Sequence, residues 1–156
     1  MQSQLAEVAA LAASSPETQV VLDHVGGPMG IGRFANGAAN GFENWRAGMA
    51  DLERHPNVVV KLGGLNMDFV TRLGPSPDSP RPWKSEHTAE VQRRHILTAI
   101  GLFGPSRCMF ESNFPVDRMV TSATLIWNGF KRVVQDFSPA EKSQLFHDTA
   151  KRVYRL

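Results

Sequence analysis

Three short apolar runs, each followed at once by polar residues, constrain the fold of this chain more than any other feature. They are Gln19 to Asp23, Asn57 to Leu62 and Arg107 to Phe110. Each is a nearly continuous stretch of Val, Leu, Met or Phe, the pattern of a parallel strand covered on both faces. Helical patterns lie before, between and after them. The first is expected over Gln2 to Ala13, ended by Ser14-Ser15-Pro16. The second runs from Glu43 to Arg54, with Phe42, Trp45, Met49 and Leu52 at helical spacing and Pro56 as its stop. The third covers Glu86 to Phe103, with Val91, Ile96, Ile100 and Phe103 inward and Gly104 closing it. A fourth spans Thr121 to Asp136 on a stripe of Ile126, Phe130, Val133 and Phe137. The last starts at Ser138-Pro139-Ala140-Glu141, an N-cap, an N1 proline and a capping-box glutamate, and runs to Arg152. Tyr154 and Leu156 are expected to pack this helix onto the body of the protein.

The order is therefore α-β-α-β-α-β-α-α, which argues for βαβ units and a parallel α/β sheet. Three strands leave two unpaired edges, and a complete eight-stranded barrel needs about 250 residues. The 156 residues are thus expected to form a single portion, the C-terminal part, of a larger domain.

Composition narrows the function. With 42% hydrophobic and 21% charged residues the chain reads as globular, and 17 basic against 15 acidic residues leave no large basic surface. Neither a nucleic acid nor a membrane is an expected partner; a small-molecule substrate is. Arg93-Arg94-His95 reads as a solvated helix face. The single cysteine, Cys108, lies in an apolar run and excludes an intrachain disulfide. With no basic residue ahead of the first apolar stretch, a cytoplasmic location is expected.

The polar ends of the runs carry the chemistry, since a parallel strand delivers functional side chains at its C-terminal end. His24 ends the first run, ahead of Val25-Gly26-Gly27-Pro28. It can ligate a metal, hydrogen-bond a substrate carbonyl, or cap the strand. If Val60 and Leu62 face the helices, Val59, Lys61 and Gly63 face the other way, as do Met109, Glu111 and Asn113 on the last strand. Lys61 and Glu111 then meet, either as a structural ion pair or with Lys61 free to hold a substrate carboxylate or polarise a carbonyl. Asn113 does not titrate and can only orient a water or a substrate oxygen. Glu111 and Asp117 are the candidate bases: Asp117 as the more accessible, Glu111 as the better buried, with a pKa raised by burial. Two long loops follow strands. Gly26 to Gly41 is glycine-rich without the spacing of a phosphate loop. Gly74 to Lys84 is proline-rich, and its Arg81 and Trp83 are either substrate contacts or loop anchors.

Four segments occur together and in order: Asp23-His-Val-Gly-Gly-Pro28, Asn57-Val-Val-Val-Lys-Leu-Gly-Gly64, Met109-Phe-Glu-Ser-Asn-Phe-Pro-Val-Asp117 and Asp148 to Leu156. Together they resemble the C-terminal part of the amidohydrolase-related TIM-barrel hydrolases, in the branch with sugar-lactone and dicarboxylate-lactone hydrolases. The resemblance implies a partial (β/α)8 barrel whose three runs are strands six to eight. It implies hydrolysis of a small lactone or related carbonyl compound, with His24 at the strand-six histidine position. Asn113 stands where many relatives have an aspartate. Relatives carry a His-x-His pair on strand one, and none occurs in this sequence. The resemblance makes a divalent metal such as zinc an optional cofactor, with some relatives working without one, and its site, through His24, is incomplete here. The implied partners are an N-terminal barrel half or a second copy. Non-oxidative decarboxylation on the same barrel, and a non-catalytic fragment or split subunit, are the alternative functions.

Overall fold

The computed structural model describes residues 1–31, 41–67 and 83–156. Three strands, β1 (Val20–Leu22), β2 (Val58–Leu62) and β3 (Cys108–Phe110), form one parallel sheet in the order β1-β2-β3. Val60 is level with Leu22 on one side and Cys108 on the other. The helices are α1 (Leu5–Ser14), α2 (Gly41–Glu53), α3 (Ser85–Phe103), α4 (Ala123–Val133), α5 (Pro139–Ser143) and α6 (Thr149–Tyr154). This alternation around a parallel sheet is the architecture of a partial (β/α)8 barrel, as expected from the order of elements.

The pleat separates core from site. Val58, Val60, Leu62, Cys108 and Phe110 belong to one hydrophobic cluster with Trp45, Met49 and Leu52 of α2, Ile96 and Ile100 of α3, and Ile126 and Phe130 of α4. Val59, Lys61 and Met109 alternate with them and stand outside that cluster. One face of the sheet therefore meets the helices and the other carries Lys61, as the period-two reading required. Cys108 is fully buried, and burial pushes its thiol up to about 12, so it is inert.

The N-terminal ends of the strands are tied by long polar side chains. Arg107 donates to the carbonyls of Glu53 (3.0 Å), His55 (3.2 Å) and Phe103 (3.2 Å) and pairs with the Glu53 carboxylate at 2.7 Å. It thereby satisfies carbonyls left open where α2 and α3 end. Asn57 does the same for α1, donating to Ala12, Ser15 and Thr18.

Two expectations are corrected. The last helix is interrupted: Gln144–Asp148 adopts π-helical geometry between α5 and α6, placing Leu145 in the core and Phe146 against Phe110 and Trp127. Tyr154 and Leu156 do not pack inward; they are 49% and 81% exposed. The capping box at Ser138 forms as read, with Glu141 accepting from Ser138 N at 2.8 Å.

His95 also departs from a solvated face. It sits against Trp45 and Phe42, ring centroids 4.8 and 5.1 Å away, and its Nδ1 is buried with no partner among the described residues. Burial, helped by Arg94, lowers its pKa from 6.5 to about 4. The unfolded chain takes a proton that the folded protein refuses. The neutral ring's contribution is thus complete above pH 6.5 and is lost as pH falls towards about 4. That loss amounts to about 3 kcal/mol. Urea unfolding of the protein and of His95→Phe at pH 7 and pH 4 should show the parent losing about 3 kcal/mol more stability than the variant. Equal acid sensitivity would mean His95 is not held neutral.

Candidate active site

Because the strands are parallel and in register, their C-terminal ends meet at one rim. Asp23 and His24 follow β1, Lys61 lies near the end of β2, and Glu111 follows β3. The Glu111 carboxylate is shared among all three strands. Its Oε1 accepts from His24 Nδ1 (2.8 Å) and from the His24 backbone N–H (3.2 Å). Its Oε2 meets Lys61 Nζ at 2.5 Å, and the same ammonium reaches Asp23 Oδ1 at 3.1 Å. The result is a chain Asp23–Lys61–Glu111–His24. The expected meeting of Lys61 with Glu111 is observed. Asp23 is an addition that the sequence reading passed over, although it stands one residue from His24 and level with Lys61.

The charges settle each other. The Glu111 hydrogen bond raises the His24 pKa above its ordinary value, against the opposing effect of burial. Burial lowers that of Lys61, but bonds to Glu111 and Asp23 outweigh it and the net direction is up. Burial pushes Glu111 up, yet hydrogen bonds from His24 and Lys61 prevail and its pKa falls. The expected upward shift of Glu111 is therefore corrected: it is an ionised acceptor held by two donors. Lys61, bound by two carboxylates, is committed to the cluster.

The roles expected of the two acids also change. Asp117, expected to be the more accessible acid, is 1% exposed. Its Oδ2 accepts from Asn113 N at 2.9 Å, so it braces the 113–117 turn, and burial raises its pKa. The side chain of Glu111 is 9% exposed and that of His24 30%, so His24 is the member of the pair that solvent reaches more easily. The described structure gives no side-chain bond for Asn113; its backbone N–H donates to Asp117 Oδ2 and its carbonyl accepts from Asp117 N at 3.0 Å. Trp83 is anchored at the start of α3, its Nε1 donating to Thr88 Oγ1 at 2.8 Å and its ring lying against His87. That is the loop-anchor alternative. Arg81 lies outside the described residues.

Two local backbone features make room for the cluster. Gly63 and Gly64 follow β2. A Cβ on Gly63 would sit 2.5 Å from Glu111 Cγ, and one on Gly64 would sit 2.5 Å from His24 Cγ. Gly64 also has φ 64°, a left-handed conformation. The other feature is the turn after β1, where His24 and Val25 take φ 54° and 52° and Gly26 and Gly27 follow at 70° and 60°. Left-handed geometry costs an L-residue roughly 1–2 kcal/mol, and a β-branched valine there is a true outlier. The turn brings both the N–H and the Nδ1 of His24 onto one carboxylate oxygen.

Comparison with known proteins identifies the family. The amidohydrolase family pattern matches residues 1–156. The chain belongs to the amidohydrolase family. It is 37% identical to the uncharacterized protein y4mH of Sinorhizobium fredii over 98% of this chain and 44% of that protein. It is 32% identical to an L-fucono-1,5-lactonase of Burkholderia multivorans over 98% of this chain and 48% of the lactonase. It superposes on crystal structures of a Burkholderia multivorans amidohydrolase, 30% identical, with TM-scores of 0.82 for a form with bound HEPES and 0.79 for one with bound zinc. All of this chain and about half of that one are covered (51% and 50%). The amidohydrolase chain thus spans about half the length of the relatives it matches.

A zinc-bearing neighbour raises the question whether the residues present fit a metal. Among the described residues no group of three His, Cys, Asp or Glu side chains could hold one. With Nδ1 bonded to Glu111, His24 offers only its Nε2, and the nearby carboxylate of Glu111 is occupied by His24 and Lys61. The described residues do not by themselves fit a resident metal.

Alanine at the two kinds of glycine should separate the site from the scaffold. Gly64→Ala should lower stability by about 1–3 kcal/mol, because a strained backbone and a crowded imidazole must both yield. Gly101→Ala, in α3 with nothing within 4 Å, should raise it by about 0.5–1 kcal/mol. Urea titration of both variants checks the pair; a neutral Gly64→Ala would contradict the close approach.

Proposed function

We propose that the protein carrying this chain hydrolyses a small lactone, with a sugar-acid lactone as the class most consistent with its lactonase-named relatives. On this reading residues 1–156 are the C-terminal portion of a (β/α)8 barrel, contributing strands six to eight, and the remaining staves complete the site. The observation that carries the proposal is the His24–Glu111 pair at the C-terminal ends of parallel strands, the position where such sheets place their chemistry.

A histidine whose Nδ1–H is held by a carboxylate presents the Nε2 lone pair outward in a fixed tautomer. His24 Nε2 takes a proton from water as the water oxygen bonds to the lactone carbonyl carbon. The ring C–O bond then breaks, and the departing ring oxygen receives that proton from the imidazolium. The product is the open hydroxy acid, and His24 returns to its neutral state. Glu111 stabilises the imidazolium formed between the two steps. Lys61 keeps Glu111 ionised, and Asp23 completes the neutralisation of Lys61. Asn113 and Asp117 shape the loop that closes the β3 side. The steps run through this chain's own residues and none is assigned to a metal.

The test is turnover of the full protein on a panel of lactones. His24→Ala should lower kcat by roughly two to four orders of magnitude. The base must be neutral, so activity should rise with pH through an apparent pKa above 6.5, the ordinary histidine value from which His24 is raised. Glu111→Gln should move that limb to lower pH as well as slow the reaction. Lactone turnover that persists in His24→Ala would overturn the assignment. Release of carbon dioxide from a carboxylated substrate would replace hydrolysis with decarboxylation.

A further inference from the structure

We propose that Trp45 is a positioning residue for His24, acting through the backbone carbonyl of Val25. The inference rests on the reading of His24 as the group that meets substrate. Trp45 lies in α2, is completely buried, and has no bond to any member of the charged cluster among the described residues. Its indole Nε1 donates to Val25 O at 2.8 Å, a bond that is itself buried.

That carbonyl belongs to the left-handed turn. His24 and Val25 both hold positive φ, and neither residue favours it. Such conformations persist only where the surroundings fix them. Two other bonds within the turn, Gly26 N to Asp23 O (3.0 Å) and Gly27 N to His24 O (2.7 Å), link the turn only to itself. Glu111 holds the histidine end. Trp45 is the side-chain donor that grips the valine end from the helix layer, and Phe42 and His95 fix its ring in turn. Without the indole N–H the Val25 carbonyl is buried without that partner, and the valine has reason to leave the left-handed region. The peptide that it shares with His24 would then rotate, carrying Nδ1 away from Glu111.

The experiment uses the full protein labelled with 15N-histidine. Two variants are compared: Trp45→Phe, and replacement of Trp45 by β-(3-benzothienyl)alanine, which keeps the two-ring shape and removes the N–H alone. The first readout is the proton resonance of His24 Nδ1–H bonded to the carboxylate, and its exchange with water. Exchange should quicken by roughly tenfold or more in the isosteric variant. In the same protein kcat should fall on the order of tenfold to a hundredfold, with KM changed far less. Should Trp45→Phe fail to fold, the isosteric variant still decides. An Nδ1–H resonance and exchange rate unchanged in that variant would overturn the proposal. Absence of lactone turnover in the unsubstituted protein would overturn the proposed function instead, and the resonance would still report on Trp45.

Discussion

One carboxylate holds the charged rim of this structure together. Glu111 leaves β3 and accepts hydrogen bonds from the end of β1, through His24, and from β2, through Lys61. Parallel strands of equal register bring their C-terminal ends to one level, and the polar residues there find their partners in one another. A carboxylate with two oxygens and several lone-pair directions meets that need, where an amide could not. Its charge in turn requires donors. Lys61 and His24 are both pushed towards their charged forms by the same group that they hold ionised.

The backbone is shaped to permit this. Gly63 and Gly64 keep the end of β2 low enough for Glu111 and His24 to lie across it. The turn after β1 stays in an unfavourable region because bonds at both ends outweigh its strain. The opposite end of the sheet has a different character. There Arg107 and Asn57 close helix termini and join layers, and nothing in their arrangement is strained. The strained turn after β1 thus lies at the rim that carries the charged cluster, and helix capping lies at the other end of the sheet.

Much of this could be read from residue order. The apolar runs identify three strands because helices cover one face of each, and residues of the other face such as Val59 and Met109 are apolar and buried as well. Period-two alternation put Lys61 and Glu111 on one face, and the structure brings them together. The pKa of Glu111 was misread because burial is visible as an apolar context, whereas the two donors that reverse its effect come from strands distant in sequence. Asp117 looked accessible because it follows a proline in a loop; its bond to Asn113 N folds it inward. His95 reads as surface beside two arginines, yet helical phase turns it onto Trp45. Trp45 itself was legible only as a core residue. Its polar edge matters because of a carbonyl exposed by a left-handed valine, and no local propensity predicts left-handed valine.

The most direct measurement is a double-mutant cycle on stability at neutral pH with Lys61→Met, Glu111→Gln and the pair. If the shared carboxylate is the joint on which the rim depends, removing one partner leaves the other half-buried and uncompensated, and the second removal costs little more. The interaction free energy should then be roughly 1–3 kcal/mol. Single-variant effects that simply add, to within about 0.5 kcal/mol, would mean that Lys61 and Glu111 are neighbours rather than partners, and would contradict the account.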